Sequence, residues 1–355
     1  MKAKKFYLAA AVCLTAGAVF AVAGFAAGGR PGVVAGLDGI RLTGGGAYDD
    51  YILEKTPLEE FASVEISLEY ADFELAPADG FYLEYQIDGS GRKPEYGVKD
   101  GVFTFSEREA SNFIQMHFLD FNRSPGHRQY KVTLYVPEDA GFERFKLESG
   151  SGDVSLGELC AKTAELSVEY GDLSADVVEG DQVKLEVENG GITAGEVTGR
   201  EELEIELEYG DLEADAASGA EVNIKNQSGN VDLKKLQSDG PAELTMEYGD
   251  LTIQEAAANR LFVENNSGDV RIDSLTPGSD SILELEYGNA EVGVTGGIDS
   301  CTMNLYAEYG SINAPKSGMH LSDDDAESFR MEGDSSRKLE ITCESGDITV
   351  RNAEK

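Results

Sequence analysis

The sequence predicts an all-β protein: a parallel β-solenoid, or β-helix, with coils of about 19–20 residues, preceded by one N-terminal transmembrane helix. Three observations support this fold class. A glycine-centred motif recurs at a nearly constant interval, apolar residues alternate with polar ones around each copy, and an uncharged apolar segment begins the chain. The 355 residues also include 41 glycines but only 9 prolines, a composition typical of short strands joined by tight turns.

Residues 1–29 predict a signal anchor, that is, a transmembrane helix. Three lysines among the first five residues precede a stretch, Phe6 to Gly29, that carries no charge. A helix of this length can cross a bilayer core of about 30 Å, and the lysines favour a cytoplasmic N-terminus. We therefore expect a single-pass protein of the cell membrane with an extracytoplasmic C-terminal domain. The alternative is a secreted protein, because Ala21-Val22-Ala23 matches a signal-peptide cleavage site.

A glycine-rich segment, residues 30–57, follows the predicted anchor. Eight glycines lie between Gly28 and Gly46, a density that a packed strand or helix does not tolerate. We therefore predict a flexible stalk. The remaining residues, 58–355, form the predicted β-solenoid domain.

Residues 81–137 form an aromatic insertion, or cap region, within that domain. Alternating apolar residues predict strands at 81–87, 101–105 and 130–136. We expect this region to cover the open end of the solenoid, with contact to a partner as the alternative. Within it, the stretch from Asp88 to Gln129 carries Phe103, Phe105, Phe113, Met116, His117, Phe118, Phe121 and His127.

An internal repeat organises the rest of the chain. Each copy has an alternating strand, a small or tyrosyl residue, a glycine usually followed by Asp or Asn, and a second alternating strand. Between Ser311 and Ser336 the repeat lapses, and Asp323-Asp324-Asp325 predicts a solvated loop. The repeated glycines are Gly152, Gly171, Gly190, Gly210, Gly229, Gly249, Gly268, Gly288, Gly310 and Gly346.

The copy around Gly210 shows how one unit folds. Leu203, Ile205 and Leu207 share one face of a strand, and the apolar set resumes at Leu212, so the parity changes across the glycine. We expect one bend between two short arms, with the glycine supplying a positive φ. Because each unit buries only one face, the units must stack, one per coil, to be stable.

The residue before each glycine alternates between large and small. We expect this side chain to point into the corner, where each tyrosine ring fills space over the small residue of the neighbouring coil. Because the tyrosines recur in every second copy, a coil of about 39 residues, spanning two copies, is the alternative. The alternating residues are Ser151, Tyr170, Asn189, Tyr209, Ser228, Tyr248, Ser267 and Tyr287.

From about residue 58 to residue 352 the chain resembles the bacterial putative-adhesin family of β-strand-repeat domains, which is common in membrane-anchored proteins of Gram-positive type. The resemblance rests on the strands FASVEISLEYADFELAPADGFYLEYQ and KVTLYVPEDAGFERFKLESGSGDVSL, and on the repeated SGD or YGD motifs. It implies an extracytoplasmic β-solenoid behind an anchor helix, without an established enzyme activity. The tyrosine in alternate copies departs from the usual Ser-Gly-Asp.

The composition excludes several classes of function. The chain has 67 acidic and 29 basic side chains, a net charge of −38, so it would repel a phosphate backbone and we expect no nucleic-acid partner. With only three histidines, the sequence supports neither His-based catalysis nor a His-rich metal site. We predict no catalytic residues, no cofactor and no metal ligands.

Two series of acidic residues flank the repeated glycines. The aspartates after the glycine offer a possible carboxylate ladder for Ca²⁺, but Gly191, Asn230, Asn289 and Ser311 interrupt the series, so we interpret the aspartates as turn caps. The glutamates before the corner predict a solvated face that deters aggregation. The aspartates are Asp153, Asp172, Asp211, Asp250, Asp269 and Asp347, and the glutamates are Glu169, Glu188, Glu208, Glu247, Glu286 and Glu308.

The cysteines do not form a disulfide framework. Cys13 lies in the predicted anchor, which leaves Cys160, Cys301 and Cys343, an odd number, in the domain. We predict that these three are buried core thiols.

Taken together, the sequence predicts a membrane-anchored binding or scaffolding protein of the bacterial cell envelope, and no enzyme. Its expected partner is a cell-envelope or surface protein or glycan. One alternative is a sensor or modulator of envelope stress. Another is a polysaccharide-active β-helix enzyme, which would group two or more carboxylates with Arg or Lys in one cleft.

Overall fold

A computed structural model describes residues 32–36, 39–43, 50–89, 92–107, 130–315, 317–323, 326–333 and 336–353. The predicted anchor, residues 1–29, lies outside these residues, and so does the central part of the aromatic insertion, residues 108–129, with Phe113, Met116, His117, Phe118, Phe121 and His127. Within the described residues, no helix has the length and apolar character needed to span a membrane.

The chain divides into two compact units. The described part of the first unit contains strands β1 (Gly32–Gly36) and β2 (Gly39–Thr43), which pair antiparallel and lie in the segment for which we predicted a stalk. The second unit comprises residues 52–87, 94–107 and 130–355, and its strands form one large sheet.

The strands of the large sheet before the regular coils are short. They are β3 (Tyr51–Pro57), β4 (Ser63–Leu68), β5 (Asp72–Ala78), β6 (Tyr82–Ile87), β7 (Glu95–Lys99), β8 (Val102–Ser106), β9 (Lys131–Pro137) and β10 (Gly141–Ser151). The predicted strands at 81–87, 101–105 and 130–136 are confirmed by β6, β8 and β9.

Six long strands then make up the regular coils, followed by short strands at the C-terminal end. The long strands are β11 (Val154–Tyr170), β12 (Leu173–Asn189), β13 (Ile192–Tyr209), β14 (Leu212–Ser228), β15 (Val231–Tyr248) and β16 (Leu251–Ser267). The remaining strands are β17 (Val270–Thr276), β18 (Asp280–Tyr287), β19 (Ala290–Val294), β20 (Thr302–Tyr309), β21 (Ile312–Asn313), β22 (Met319–Ser322), β23 (Glu327–Met331), β24 (Lys338–Ser345) and β25 (Ile348–Asn352).

The register of the long strands fixes the coil length. Val154 pairs in parallel with Leu173, Leu173 with Ile192, and Ile192 with Leu212, so each partner lies one copy of the repeat further along the chain. One copy of the repeat is therefore one coil of a parallel β-solenoid, as predicted. The alternative, in which one coil spans two copies, is wrong.

Each coil has three arms, not the two we predicted. The buried residues of a long strand change parity twice inside the strand, and the third change comes at the corner glycine. The second of the two additional bends has a glycine in three successive coils, Gly180, Gly199 and Gly219, which the prediction of two arms overlooked. In β12 the three inward-facing groups are Leu173 with Ala175, Val178 with Gly180, and Val183 with Leu185 and Val187.

At the C-terminal end the coils do not follow chain order. Strand β24 pairs in parallel with both β18 and β20, so the last coil of the chain lies between two earlier ones. Strand β23 then pairs antiparallel with β20, and β22 pairs antiparallel with β23. The segment between Ser311 and Ser336, where the repeat lapses, thus contains a hairpin that covers the outermost coil. Asp323, the first residue of the predicted solvated loop, lies between its two strands, and Asp324 and Asp325 lie outside the described residues.

The N-terminal end of the domain has a related arrangement. Strands β4 and β5 stack in parallel on β10 and β11, and β8 and β9 form the next coil outward. Antiparallel strands cover this outer coil, with β6 on β9 and β7 on β8. At this end the outer coil, β8 with β9, follows the inner one, β4 with β5, in sequence, and the edge of the sheet is again covered.

The interior consists of aligned aliphatic side chains such as Leu185, Ile205 and Ile224. Cys301 and Cys343 are buried among them, as predicted, and desolvation raises the pKa of both thiols. The prediction for Cys160 is wrong, because this residue is exposed on the outward parity of β11.

Candidate binding surface at the solenoid corner

The corner of each coil depends on its glycine. Eight of the repeated glycines, from Gly171 to Gly346, have φ between 135° and 154°, which side chains rarely adopt. A Cβ at Gly210 would clash with the carbonyl oxygen of Gly190, one coil earlier. The predicted positive φ is confirmed, and the close stacking of the coils is a second reason for glycine.

The aspartates after the glycines cap the backbone of the next coil. The Asp172 Oδ1 accepts a hydrogen bond from the Gly191 amide at 2.8 Å, and the Asp250 Oδ1 accepts one from the Asp269 amide at 2.8 Å. Asn230 does the same with its side-chain oxygen, at 3.0 Å from the Asp250 amide. The interpretation as turn caps is therefore confirmed. These caps are Asp72, Asp153, Asp172, Asp211, Asn230, Asp250, Asp269, Asn289 and Asp347.

Hydrogen bonding also favours the charged form of Asp347, the last aspartate of this series. The backbone amide and hydroxyl of Ser311 both donate to Asp347 and lower the pKa of its carboxyl group. In the part of the chain that the structure describes, no group of three or more His, Cys, Asp or Glu side chains is placed to hold a metal ion.

The tyrosines before the glycines point outward. Tyr170 and Tyr209 are each 56% exposed, and Tyr248 is 61% exposed. The prediction that these rings fill the corner is wrong. The inward parity ends two residues earlier, for example at Leu207, and the chain then turns, so the next residue of that parity, Tyr209, faces solvent.

These exposed rings form a regular series that we call the tyrosine column. Parallel register places one residue from every coil at this position, and tyrosine alternates there with Ser or Asn. The tyrosine column consists of Tyr70, Tyr170, Tyr209, Tyr248, Tyr287 and Tyr309, and the residues between them are Ser151, Asn189, Ser228, Ser267 and Ser345.

Some coils with a small corner residue also differ inside. Asn226 and Asn265 are buried two residues before the corner serine, where the tyrosine coils have apolar residues such as Leu207. The Nδ2 of Asn226 donates to the carbonyl oxygen of Gly210 at 3.0 Å, and its Oδ1 accepts from the Ser228 amide at 3.0 Å. These side chains satisfy corner backbone groups without reaching the surface.

Glutamates line one side of the tyrosine column. All six glutamates of the predicted series are exposed or half-buried, which agrees with a solvated face. Desolvation, with the negative charges of Glu169 and Glu208 one coil away on either side, raises the pKa of Glu188.

Basic side chains pair with acids on the arms, away from the corner. Lys184 lies 3.2 Å from Glu206, which lies equally close to Lys225 on the other side. Arg351 lies 3.1 Å from Glu291. By contrast, no copy has a Lys or Arg at the four corner positions, which run from two residues before the repeated glycine to one residue after it.

A groove of about 330 Å³ runs along one arm. Glu74 and Asp176 line it, and the Glu74 carboxylate is paired with Lys131 at 2.9 Å. No Lys or Arg is among its lining residues. His320, the only histidine in the described residues, is exposed on β22 and lies 3.1 Å from Glu327. It is distant in sequence from the residues that line the groove.

Two glutamates that the sequence does not single out accept hydrogen bonds from backbone amides at the corners of the two end regions of the solenoid. The Glu107 carboxylate is buried and accepts hydrogen bonds from the amides of Glu69, Tyr70 and Ala71 at 2.9, 3.1 and 3.3 Å. At the other end, Glu327 accepts from the Ile312 amide at 2.7 Å, which with the His320 contact lowers its pKa. Neither lies in the repeat, so only the fold reveals them.

Comparison with known proteins gives a family match. The model of the Toastrack DUF4097 family matches residues 61–351. No curated protein matches the chain. Similar solved structures include a putative cell adhesion protein from Clostridium sporogenes, with 12% identity over 91% of this chain and 100% of that chain and a TM-score of 0.20.

Two further solved structures come from other bacterial species. A putative adhesin from Bacteroides fragilis has 10% identity over 87% of this chain and 100% of that chain, with a TM-score of 0.26. A putative lipid binding protein from Parabacteroides distasonis has 14% identity over 85% and 96%, with a TM-score of 0.28. Because the family model matches most of the domain, the chain belongs to the Toastrack DUF4097 family.

Proposed function

We propose that the protein binds or scaffolds other components of the bacterial cell envelope, outside the cytoplasm and without catalysis. The observation that carries this proposal is the tyrosine column. Exposed aromatic side chains that recur in register on a rigid sheet are characteristic of contact surfaces, where aromatic residues supply much of the binding energy.

The chemistry of the corner supports binding over catalysis. The corner aspartates are engaged by backbone amides, as Asp172 is by Gly191, and Glu206 on an arm is paired with Lys184 and Lys225. The coils are locked in register by their glycines and caps, so the tyrosines are presented at fixed intervals. Preorganisation of this kind lowers the entropic cost of binding.

The proposed location rests on the sequence. The uncharged stretch from Phe6 to Gly29 behind N-terminal lysines supports a membrane anchor with the solenoid outside. The partner is an envelope or surface protein or glycan, since the net charge of −38 opposes binding to nucleic acid.

The exposed Cys160 allows a test of the location. A membrane-impermeant maleimide applied to intact cells should label the wild-type protein but not a Cys160→Ser variant. Labelling only after lysis would contradict the extracytoplasmic location.

Crosslinking in intact cells tests the binding role. The full-length protein should form crosslinked complexes that are lost when Tyr170, Tyr209, Tyr248 and Tyr287 are replaced by serine. Serine already occupies this position at Ser151, Ser228 and Ser267, so the coils accept it. Complexes that are unchanged in this variant would overturn the role of the tyrosine column, and cleavage of envelope glycans by the purified protein would overturn the non-enzymatic role.

A further inference from the structure

We infer that the tyrosine column is a docking surface for a basic polyproline-II segment of a partner protein, with Lys or Arg at every third position. The inference rests on the proposed binding function and specifies the chemistry of the partner. Each tyrosine holds one cationic side chain by a cation–π contact, and the carboxylates beside it supply the opposite charge.

Each tyrosine of the column follows a glutamate, and all but Tyr287 and Tyr309 also have an aspartate two residues later. Tyr209 follows Glu208 and is two residues before Asp211, and all three side chains are exposed. An aromatic ring next to carboxylates is a favourable environment for an ammonium or guanidinium group. The same environment disfavours an anionic ligand.

The molecule itself contains a contact of this type. The Nζ of Lys55 lies 3.7 Å from the centre of the Tyr135 ring and 4.8 Å from that of the Tyr82 ring. The Tyr135 hydroxyl group in turn donates to the Glu84 carboxylate at 2.9 Å. Here a lysine binds tyrosines with a carboxylate beside them, which is the combination that each tyrosine of the column offers to a partner.

The spacing of the tyrosine column selects the conformation of the partner. Successive tyrosines lie two coils apart, which is about 9.6 Å at the usual strand spacing. A polyproline II helix has three residues per turn and rises about 3.1 Å per residue, so every third side chain lies on one face about 9.3 Å apart. Side chains on one face of a β-strand are only about 6.7 Å apart, so their spacing does not match that of the tyrosine rings.

Charge complementarity indicates that the partner segment is positively charged. The corner positions of all copies lack Lys and Arg, and the chain carries a net charge of −38. Glu188 lies between Glu169 and Glu208 of the neighbouring coils, and cations that bind beside these carboxylates relieve their mutual repulsion. The four tyrosines from Tyr170 to Tyr287 span about 29 Å, the length of about nine residues of polyproline II.

Fluorescence anisotropy with purified full-length protein tests this inference. The probe is a labelled peptide of four Lys-Pro-Pro units. Two comparison peptides carry the same four lysines at a spacing of two residues (Lys-Pro units) or four residues (Lys-Pro-Pro-Pro units). We expect the three-residue spacing to bind most tightly. Equal affinity for all three peptides would overturn the inference, because general attraction to an acidic protein would then explain the binding.

Variants show whether the tyrosine column is the site. Serine at Tyr170, Tyr209, Tyr248 and Tyr287 should weaken binding of the Lys-Pro-Pro peptide about thirtyfold or more, from four exposed cation–π contacts. Tyr306→Ser is the matched control, because Tyr306 is 42% exposed but lies outside the column. Equal binding to wild type and the fourfold variant would overturn the inference.

A neutral glycan probe distinguishes this inference from the proposed function. If cellohexaose binds in a tyrosine-dependent manner and the basic peptide does not, the inference fails while the binding role stands. If no probe binds and the crosslinked complexes in intact cells are also independent of the tyrosines, both fail.

Discussion

The middle of the solenoid and its two ends differ in the order in which their coils stack. From Val154 to Ser267 every coil lies on the next in chain order, with a glycine at each corner and an Asp or Asn cap in every coil except that of Gly191. At the ends the chain leaves this order: β24 inserts between β18 and β20, and β8 with β9 forms a coil outside β4 and β5.

The difference shows what a repeat can and cannot specify. A coil in the middle needs only its neighbours, so local rules are sufficient. An end coil has one uncovered edge and needs a special solution, here antiparallel strands and a single glutamate, Glu107 or Glu327. Substitutions of shared features in the middle and of unique contacts at an end should therefore have different effects.

The largest effect is expected at a corner glycine. Gly210→Ala should lower the free energy of unfolding by about 3 kcal/mol, because the new Cβ clashes with the Gly190 carbonyl oxygen and φ is positive. Gly141→Ala is the control, since no atom lies within 4 Å of its added Cβ, and it should change stability by less than about 0.5 kcal/mol. Urea denaturation measures both, and equal losses would contradict the corner geometry.

A smaller effect is expected for the aspartate caps of the middle. Asp250→Ala should cost about 1 kcal/mol in urea denaturation, because the Asp269 amide loses its acceptor. Asp250→Asn should be close to neutral, since Asn230 and Asn289 make the same contact with their side-chain oxygens. A strong loss with asparagine would mean that the negative charge, and not the hydrogen bond, matters.

The smallest effect is expected at the C-terminal end and depends on pH. The folded state lowers the pKa of Glu327 through the Ile312 amide and His320, so its stabilisation is present above the ordinary pKa of 4.5 and is lost as pH falls through the lower folded pKa. Protection of the Ile312 amide from hydrogen exchange should fall in that range for wild type.

A Glu327→Gln variant isolates this group. It keeps Asp347, which titrates nearby, but lacks the Glu327 carboxylate, so any remaining pH dependence belongs to Asp347. Identical pH profiles for wild type and variant would show that Glu327 does not stabilise the end.

The middle was largely predictable from the sequence, whereas the ends and the binding surface were not. Spacing and parity gave the coil length, the role of Gly210 and the caps such as Asp172. The outward direction of Tyr209 was not predictable, because parity counts Tyr209 with the buried Leu207 and does not show where the corner begins. Its alternation with Ser and Asn, residues common on surfaces, was the available signal.

The ends were unpredictable for a different reason. Gly346 follows Gly310 in the chain, yet its coil lies against that of Gly288, and no local pattern records such an inversion. Contacts between residues far apart in sequence, such as Glu107 with Tyr70, depend on the completed fold.

Disulfide trapping along the corner tests the central claim most directly. The experiment uses a Cys160→Ser background. Cysteines that replace Tyr209 and Ser228 lie on adjacent coils about 4.8 Å apart, which is within disulfide range. Cysteines that replace Tyr209 and Tyr248 lie two coils apart, at about 9.6 Å. We expect rapid oxidation of the first pair and none of the second. Oxidation of the second pair without the first would contradict the rule of one repeat copy per coil and with it the tyrosine column.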